Sequence, residues 1–283
     1  VHEVSAHHAG EHDHEPDEKK HSLASDTLVR LDILSTSRNC RVRGGKLDSV
    51  PPLNLEIDSV MEPGEGMCGA QAWLRTADGV FCGLNHALSN RIAAMGAIGA
   101  VSAGAHASPA AVSPSIVREL ERIDGLLRLY RLMESADEAP AEPARIADVL
   151  PDAVRLFQHH LAVRDVPCSL DSAMDVSPVL VPPGALTQAL LALMCGAARR
   201  AADKSAQGGI IVRCGGDAGW VVVAVGTRGA AKAAAEREPR ELTAVRWLLR
   251  HALVTAEWVE TPGGGIRISL RMGTLANARR RER

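Results

Sequence analysis

Residues 84–95 read Leu84-Asn85-His86-Ala87-Leu88-Ser89-Asn90-Arg91-Ile92-Ala93-Ala94-Met95. Leu84, Leu88, Met95 and, one turn on, Ile98 recur at helical spacing, which predicts a helix with a single apolar stripe. His86 lies two residues from both leucines, so it is expected to point away from that stripe. Asn90 follows one turn later on the histidine's side. A neutral imidazole is nucleophilic near pH 7, and the phosphoramidate it forms keeps a high transfer potential. A lone helical histidine is ordinarily a surface residue; here the flanking pattern makes group transfer the sharper reading.

Around this stretch, a helical pattern runs from about Gln71 to Ala103, and Gly, Ser and Pro break it between Gly104 and Pro114. Ser113 and Pro114 suit an N-cap and first helical position for a second helix. Ile116, Leu120, Ile123, Leu127 and Tyr130 step along it by four and three residues, a heptad-like stripe. Two antiparallel helices cannot bury both stripes alone. A homodimer closing a four-helix bundle is the expected solution.

Asp137 to Pro143 is acidic and proline-containing, as a linker would be. Beyond it the pattern predicts a helix over about Ile146–Leu161, short strands at Cys168–Leu170 and Val179–Val181, and a helix over Pro183–Ala202. A hairpin of Ile210–Cys214 with Trp220–Val225 follows, then a helix over Glu238–His251 and a closing pair, Ala256–Glu260 and Gly265–Arg271. Mixed strands among helices imply an α/β sandwich with helices on one sheet face.

The Leu84-Asn85-His86 to Asn90 pattern resembles the phosphoacceptor box of two-component histidine kinases, most closely the Leu-Asn-His-x-x-x-Asn form of the HWE type. That resemblance makes His86 the phosphoacceptor and Asn90 the residue that orients the phosphoryl group or an attacking water. The second half resembles the ATP-binding domain of the same kinases, the GHKL or Bergerat fold. Leu186-Thr187-Gln188-Ala189-Leu190-Leu191 matches the start of the N-box helix, Trp220–Val225 the strand before the first glycine box, and Glu260-Thr261-Pro262-Gly263-Gly264-Gly265 the closing hairpin.

The chemistry-bearing positions depart from that family. Register from Gln188 puts Gly196 where the family has its Mg²⁺-holding Asn, and Ala192 at the earlier N-box Asn. Neither offers the oxygen donors that Mg²⁺ needs. The adenine-reading Asp should follow the Val221–Val225 strand, but Gly226-Thr227-Arg228-Gly229 contains no acid. Pro239-Arg240-Glu241-Leu242 stands where a Gly-x-Gly-Leu loop would offer backbone amides to phosphate, and the lid, Ala230 to Glu238, is short. Ala87 follows His86 in place of the acid most such boxes carry, though the HWE type also lacks it.

Composition narrows the alternatives. The formal charge of -2 gives no general case for nucleic acid. The six cysteines show neither paired metal spacing nor a secreted disulfide density, so reduced thiols in the cytoplasm are expected. No apolar run of about 18 residues suggests a membrane span, and no signal peptide opens the sequence. His2, His7, His8, His12, His14 and His21 fall in a charged stretch that cannot form a core. They could hold a divalent ion only without preorganisation, so no metal site is expected. Met61 and Met67 are candidate start points.

The sequence therefore implies an α + α/β chain. Residues 1–66 are disordered or unassigned, 67–136 form the dimerising phosphotransfer hairpin, 137–145 a linker, 146–273 a degenerate ATPase-like sandwich and 274–283 a basic tail. The expected function is a phosphorelay between receiver-domain aspartates of response regulators through His86, without a cofactor and without ATP turnover. Two readings compete: an active ATP-dependent kinase using Mg-ATP through divergent boxes, and a non-catalytic scaffold of the same fold in which His86 is a surface residue.

Overall fold

The computed structural model describes residues 63–103, 109–134, 139–171, 176–201, 208–217, 219–229, 238–262 and 264–281. The six amino-terminal histidines lie outside them. The chain enters as a long helix, α1 (Pro63–Ala103), and returns antiparallel as α2 (Pro109–Leu132). Trp73, Ala77, Val80 and Leu84 step by four, three and four along α1 and are all buried, as one face of a 3.6-residue period requires. Leu126 and Leu129 on α2, and Met133 just after it, are the buried counterparts. Phe81 and Tyr130 stack across the pair with ring centroids 5.5 Å apart. Further along, buried Glu119 of α2 pairs with Arg91 at 3.4 Å and with Arg122.

α2 starts at Pro109, earlier than the Ser113-Pro114 signal predicts, and Pro114 lies inside the helix. Ala110 and Ala111 carry the helix back to Pro109 because alanine has the best intrinsic propensity. Proline at the first position then loses only an N–H that had no helical partner.

The sandwich comprises β1 (Glu142–Ala144), α3 (Ile146–His159), β2 (Cys168–Leu170), β3 (Val179–Val181), α4 (Pro183–Arg200), β4 (Ile210–Asp217), β5 (Trp220–Thr227), α5 (Arg240–Leu248), β6 (Val254–Glu260), β7 (Ile266–Gly273) and α6 (Leu275–Arg281). The main sheet has the order β2-β4-β5-β7-β6, with β2 parallel to β4 and the other pairs antiparallel. The β4–β5 turn passes through Gly219 and the β6–β7 turn through Gly264, at φ +88° and +73°. Glycine adopts that left-handed region without a Cβ penalty. β1 pairs antiparallel with β3 as a small second sheet inside the segment expected to be linker.

Alternation along the strands sends Val221, Val223, Val225, Ile266, Ile268, Leu270 and Met272 into the core. Helix α4 is buried on every side from Ala185 to Ala198, the signature of a central helix rather than a surface one. Its Gln188 side chain crosses to the hairpin and donates to the carbonyls of Leu132 and Glu134 at 2.9 and 2.7 Å. The Leu132 carbonyl ends α2, where it has no helical partner of its own, and Glu134 follows just beyond.

The expected basic tail is largely structured. Thr274 is buried and bridges Val179, Leu275 N–H donates to Pro178 at 2.9 Å, and α6 follows. Asn277 N–H bonds the Thr274 backbone carbonyl and hydroxyl, which closes the first turn of α6. Backbone bonds to Thr274 and Leu275, rather than the arginines, fix the helix to the sandwich.

Candidate functional site

His86 lies on α1 immediately beyond the stretch that packs on the sandwich. Leu84 is fully buried two residues before it, whereas His86, Ser89 and Asn90 are exposed. Leu88 is half-buried, as are Met95 and Ile98. The Asn90 side-chain nitrogen stands 3.3 Å from His86 Nε2. If Asn90 donates there, the ring proton sits on Nδ1 and the Nε2 lone pair points at the amide, so Asn90 must turn aside for that nitrogen to act as a nucleophile. The neighbouring Asn85 accepts a hydrogen bond from the Tyr130 hydroxyl, which ties α2 to the turn that carries the histidine. Burial, and then the adjacent Cys82, hold the Tyr130 phenol above its ordinary value, so it remains a donor at neutral pH.

The face of α1 leading up to His86 carries unusual notches. Gly69 lies against Trp247 of α5, Gly79 against the His160 ring, and Gly83 against the His159 carbonyl. A Cβ at Gly79 would stand 2.5 Å from His160 Nε2. The Leu161 N–H donates to the Gly79 carbonyl at 3.2 Å. Glycine between apolar helical residues is a recognisable signal of close packing; which surface fills the notch is not readable in sequence.

At the nucleotide-box positions, Ala192 is fully buried in α4. A Cβ at Gly196 would meet Glu241 Cβ at 3.1 Å and Ile268 Cδ1 at 3.2 Å. The first residues of α5 therefore fill the space that a longer side chain would need. Glu241 is buried and bound by Arg199 at 2.7 Å and Arg200 at 3.7 Å, so its charge is neutralised inside the protein. Arg199 also approaches His160 Nε2 at 3.2 Å, while Ala162 N–H approaches Nδ1 at 3.2 Å. Burial, and then the Arg199 charge, hold the His160 imidazole below its ordinary value.

Gly226 pairs with Ile211 and Arg267 within the sheet. Thr227 after it accepts from Ile266 N–H at 3.1 Å and donates to the Gly229 carbonyl at 3.2 Å. Arg228 donates to Ser169 at 2.5 Å. Where an adenine-reading carboxylate would emerge, the strand end is thus occupied by a hydroxyl engaged with backbone and by a guanidinium.

His86, Asn90, Asn85 and Tyr130 form one group on the hairpin; Ala192, Gly196 and Gly226 lie apart from it in the sandwich. The network of His160, Arg199 and Glu241 carries no sequence signal, because its members come from α3, α4 and α5 and meet only on folding. Among the described residues no group of three or more His, Cys, Asp and Glu is placed to hold a metal ion, and no helix is long and apolar enough to cross a membrane.

No protein-family profile matches this chain, and no curated protein matches it. Solved histidine kinases align with it at low similarity. The chain is similar to the histidine kinase AdeS of Acinetobacter baumannii, at 14% identity and TM-score 0.40, over 67% of this chain and 98% of that chain. It is similar to a histidine kinase of Burkholderia phymatum STM815, at 13% identity and TM-score 0.41, over 76% and 99%. The blue-light activated histidine kinase EL346 of Erythrobacter litoralis aligns at 15% identity and TM-score 0.37, over 69% and 59%. At identities and TM-scores this low the likeness carries no argument about what this chain does.

Proposed function

We propose that this chain is a dimeric histidine phosphotransferase of two-component signalling, a pseudokinase that relays phosphoryl groups between receiver-domain aspartates through His86 and does not turn over ATP. The observation that carries this reading is the filled space at position 196. In the resembling kinases an Asn there holds Mg²⁺ on the triphosphate; here Glu241 and Ile268 stand within 3.2 Å of where even a Cβ would lie. Ala192 and the Gly226–Gly229 turn likewise lack side-chain carboxylate or amide oxygens. Mg²⁺ needs several oxygen ligands in near-octahedral array.

Transfer without nucleotide is chemically complete. The lone pair of a neutral His86 ring nitrogen attacks phosphorus on a receiver's aspartyl phosphate. The P–O bond to aspartate breaks, its electron pair stays on the carboxylate, and the ring proton passes to water. The receiver brings its own Mg²⁺ and acids, and the step amounts to positioning and charge stabilisation. Asn90, 3.3 Å from the ring nitrogen, is placed to donate to a phosphoryl oxygen. Dimerisation is supported by the face of α2 that this chain leaves open, where Leu120 is 50% and Leu127 42% exposed.

Two measurements test the proposal together. Calorimetric titration with Mg-ATP should show no binding tighter than about 1 mM, roughly 4 kcal/mol; a micromolar constant would promote the kinase reading. Receiver domains charged with acetyl phosphate should pass label to the chain in acid-labile, base-stable form, and His86→Gln should abolish it. If His86→Gln accepts label as well as the parent, or if no receiver transfers to either, the scaffold reading replaces this one.

A further inference from the structure

Gly79 and His86 are seven residues apart on α1, as are Gly83 and Asn90. Seven residues are nearly two helical turns, so each pair shares a face. The face of α1 pressed against the end of α3 is therefore the same face that carries His86 and Asn90 one to two turns later. Gly83 touches the His159 carbonyl, Gly79 touches the His160 ring, and Leu161 N–H donates to Gly79. His86 lies three residues beyond Gly83, about 4.5 Å further along the axis. Side chains on a helix lean towards its N-terminus, which tilts the imidazole towards that end of the sandwich.

The turn after α3 thus forms a lip beside the phosphoacceptor. It presents Leu161 as an apolar side chain 44% exposed, then Ala162, Arg164 and Asp165 exposed, while Val163 anchors it in the core.

We infer that this turn, His159 to Asp165, is the sandwich's share of the receiver-docking surface, with Leu161 as its apolar contact. The inference rests on His86 being the phosphoacceptor. Its occupant follows from size. A receiver is a globular domain, and transfer requires its phosphoryl group within about 3.5 Å of the ring nitrogen. Even a small transient interface covers about 600 Å² on each partner. As a disc centred on His86, that is about 14 Å in radius, and Leu161, held at Gly79 about 10.5 Å down the axis, lies within it. A globular donor centred on His86 covers Leu161 as well, because the glycine notches hold the lip against α1.

The test compares two phosphoryl donors on the full-length chain. Leu161→Glu is an exposed substitution that leaves the Leu161 backbone bond in place. It should slow transfer from charged receiver domains at least tenfold while leaving His86 labelling by phosphoramidate, a donor too small to touch the turn, unchanged. Val259→Glu, on the sheet face away from the helices, should alter neither rate. Unchanged receiver transfer in Leu161→Glu overturns the inference and leaves the phosphotransferase reading standing. Loss of phosphoramidate labelling as well would overturn it by showing that the change damages His86 itself. If the parent takes label from phosphoramidate but from no receiver, the phosphotransferase reading and the inference fall together.

Discussion

Gly83→Ala separates what helix propensity predicts from what packing predicts. In the interior of a 41-residue helix, replacing glycine by alanine is ordinarily stabilising by about 0.5–1 kcal/mol. At Gly83 the new methyl would overlap the His159 carbonyl oxygen and stand 2.8 Å from its carbon and 3.4 Å from His159 Cα. Non-bonded carbons rest at about 3.5–4.0 Å and the carbonyl oxygen lies closer still, so the end of α3 must retreat by more than about 1 Å. Overpacking of that kind costs about 1–3 kcal/mol. The retreat also strains the bond from Leu161 N–H to Gly79, itself worth about 1 kcal/mol.

The two effects oppose each other, and packing should win by about 1–2 kcal/mol. Gly96 supplies the control, because nothing lies within 4 Å of its Cβ position; Gly96→Ala should stabilise by up to about 1 kcal/mol. Urea unfolding at fixed protein concentration, followed by circular dichroism and tryptophan emission, measures both; Trp73 and Trp247 report from the α1–sandwich contact. Were Gly83→Ala as stable as Gly96→Ala, α1 would not be seated on α3 as described.

Dimerisation should fail in the double variant Leu120→Glu, Leu127→Glu, since two unpaired charges in a bundle core cost several kcal/mol; light scattering that still reports a dimer would refute the placement of the interface. His160 predicts a pH dependence of stability. Its folded-state value is depressed, so its contribution is complete above the unfolded value of about 6.5 and is lost as pH falls from there through the folded value. Unfolding midpoints should therefore drop as pH falls below about 6.5, and His160→Gln should flatten that slope. An unchanged slope would remove His160 as its source, leaving His159, which burial also depresses.

Much of the architecture was legible because it rests on local periodicity. The three-four spacing of Trp73, Ala77, Val80 and Leu84, the valine run of β5 and the glycines of the closing hairpin each announce their element within a few residues. Errors fell where local signals compete. Ser113-Pro114 mimics a helix start, yet Ala110 and Ala111 extend α2 past it. The arginine-rich end reads as solvated because Arg279 and Arg280 do face water, while the backbone bonds of Thr274 and Leu275 that fix α6 involve partners about 50 to 100 residues distant in sequence: Val179, Pro178 and Gly219.

The sequence by itself determined that His86 would sit exposed on a helix with Asn90 one turn away, because a helix's period alone assigns its faces. It also determined that positions 192, 196 and 226 offer no side-chain oxygen, since glycine and alanine have none. Only the tertiary structure decided what fills the space at Gly196, which surface enters the notches at Gly69, Gly79 and Gly83, and that the turn after α3 borders His86. Glu241 and His160 reach those places from helices distant in sequence. Contacts of that kind are selected by the shape of the whole core, and no short window of residues encodes them.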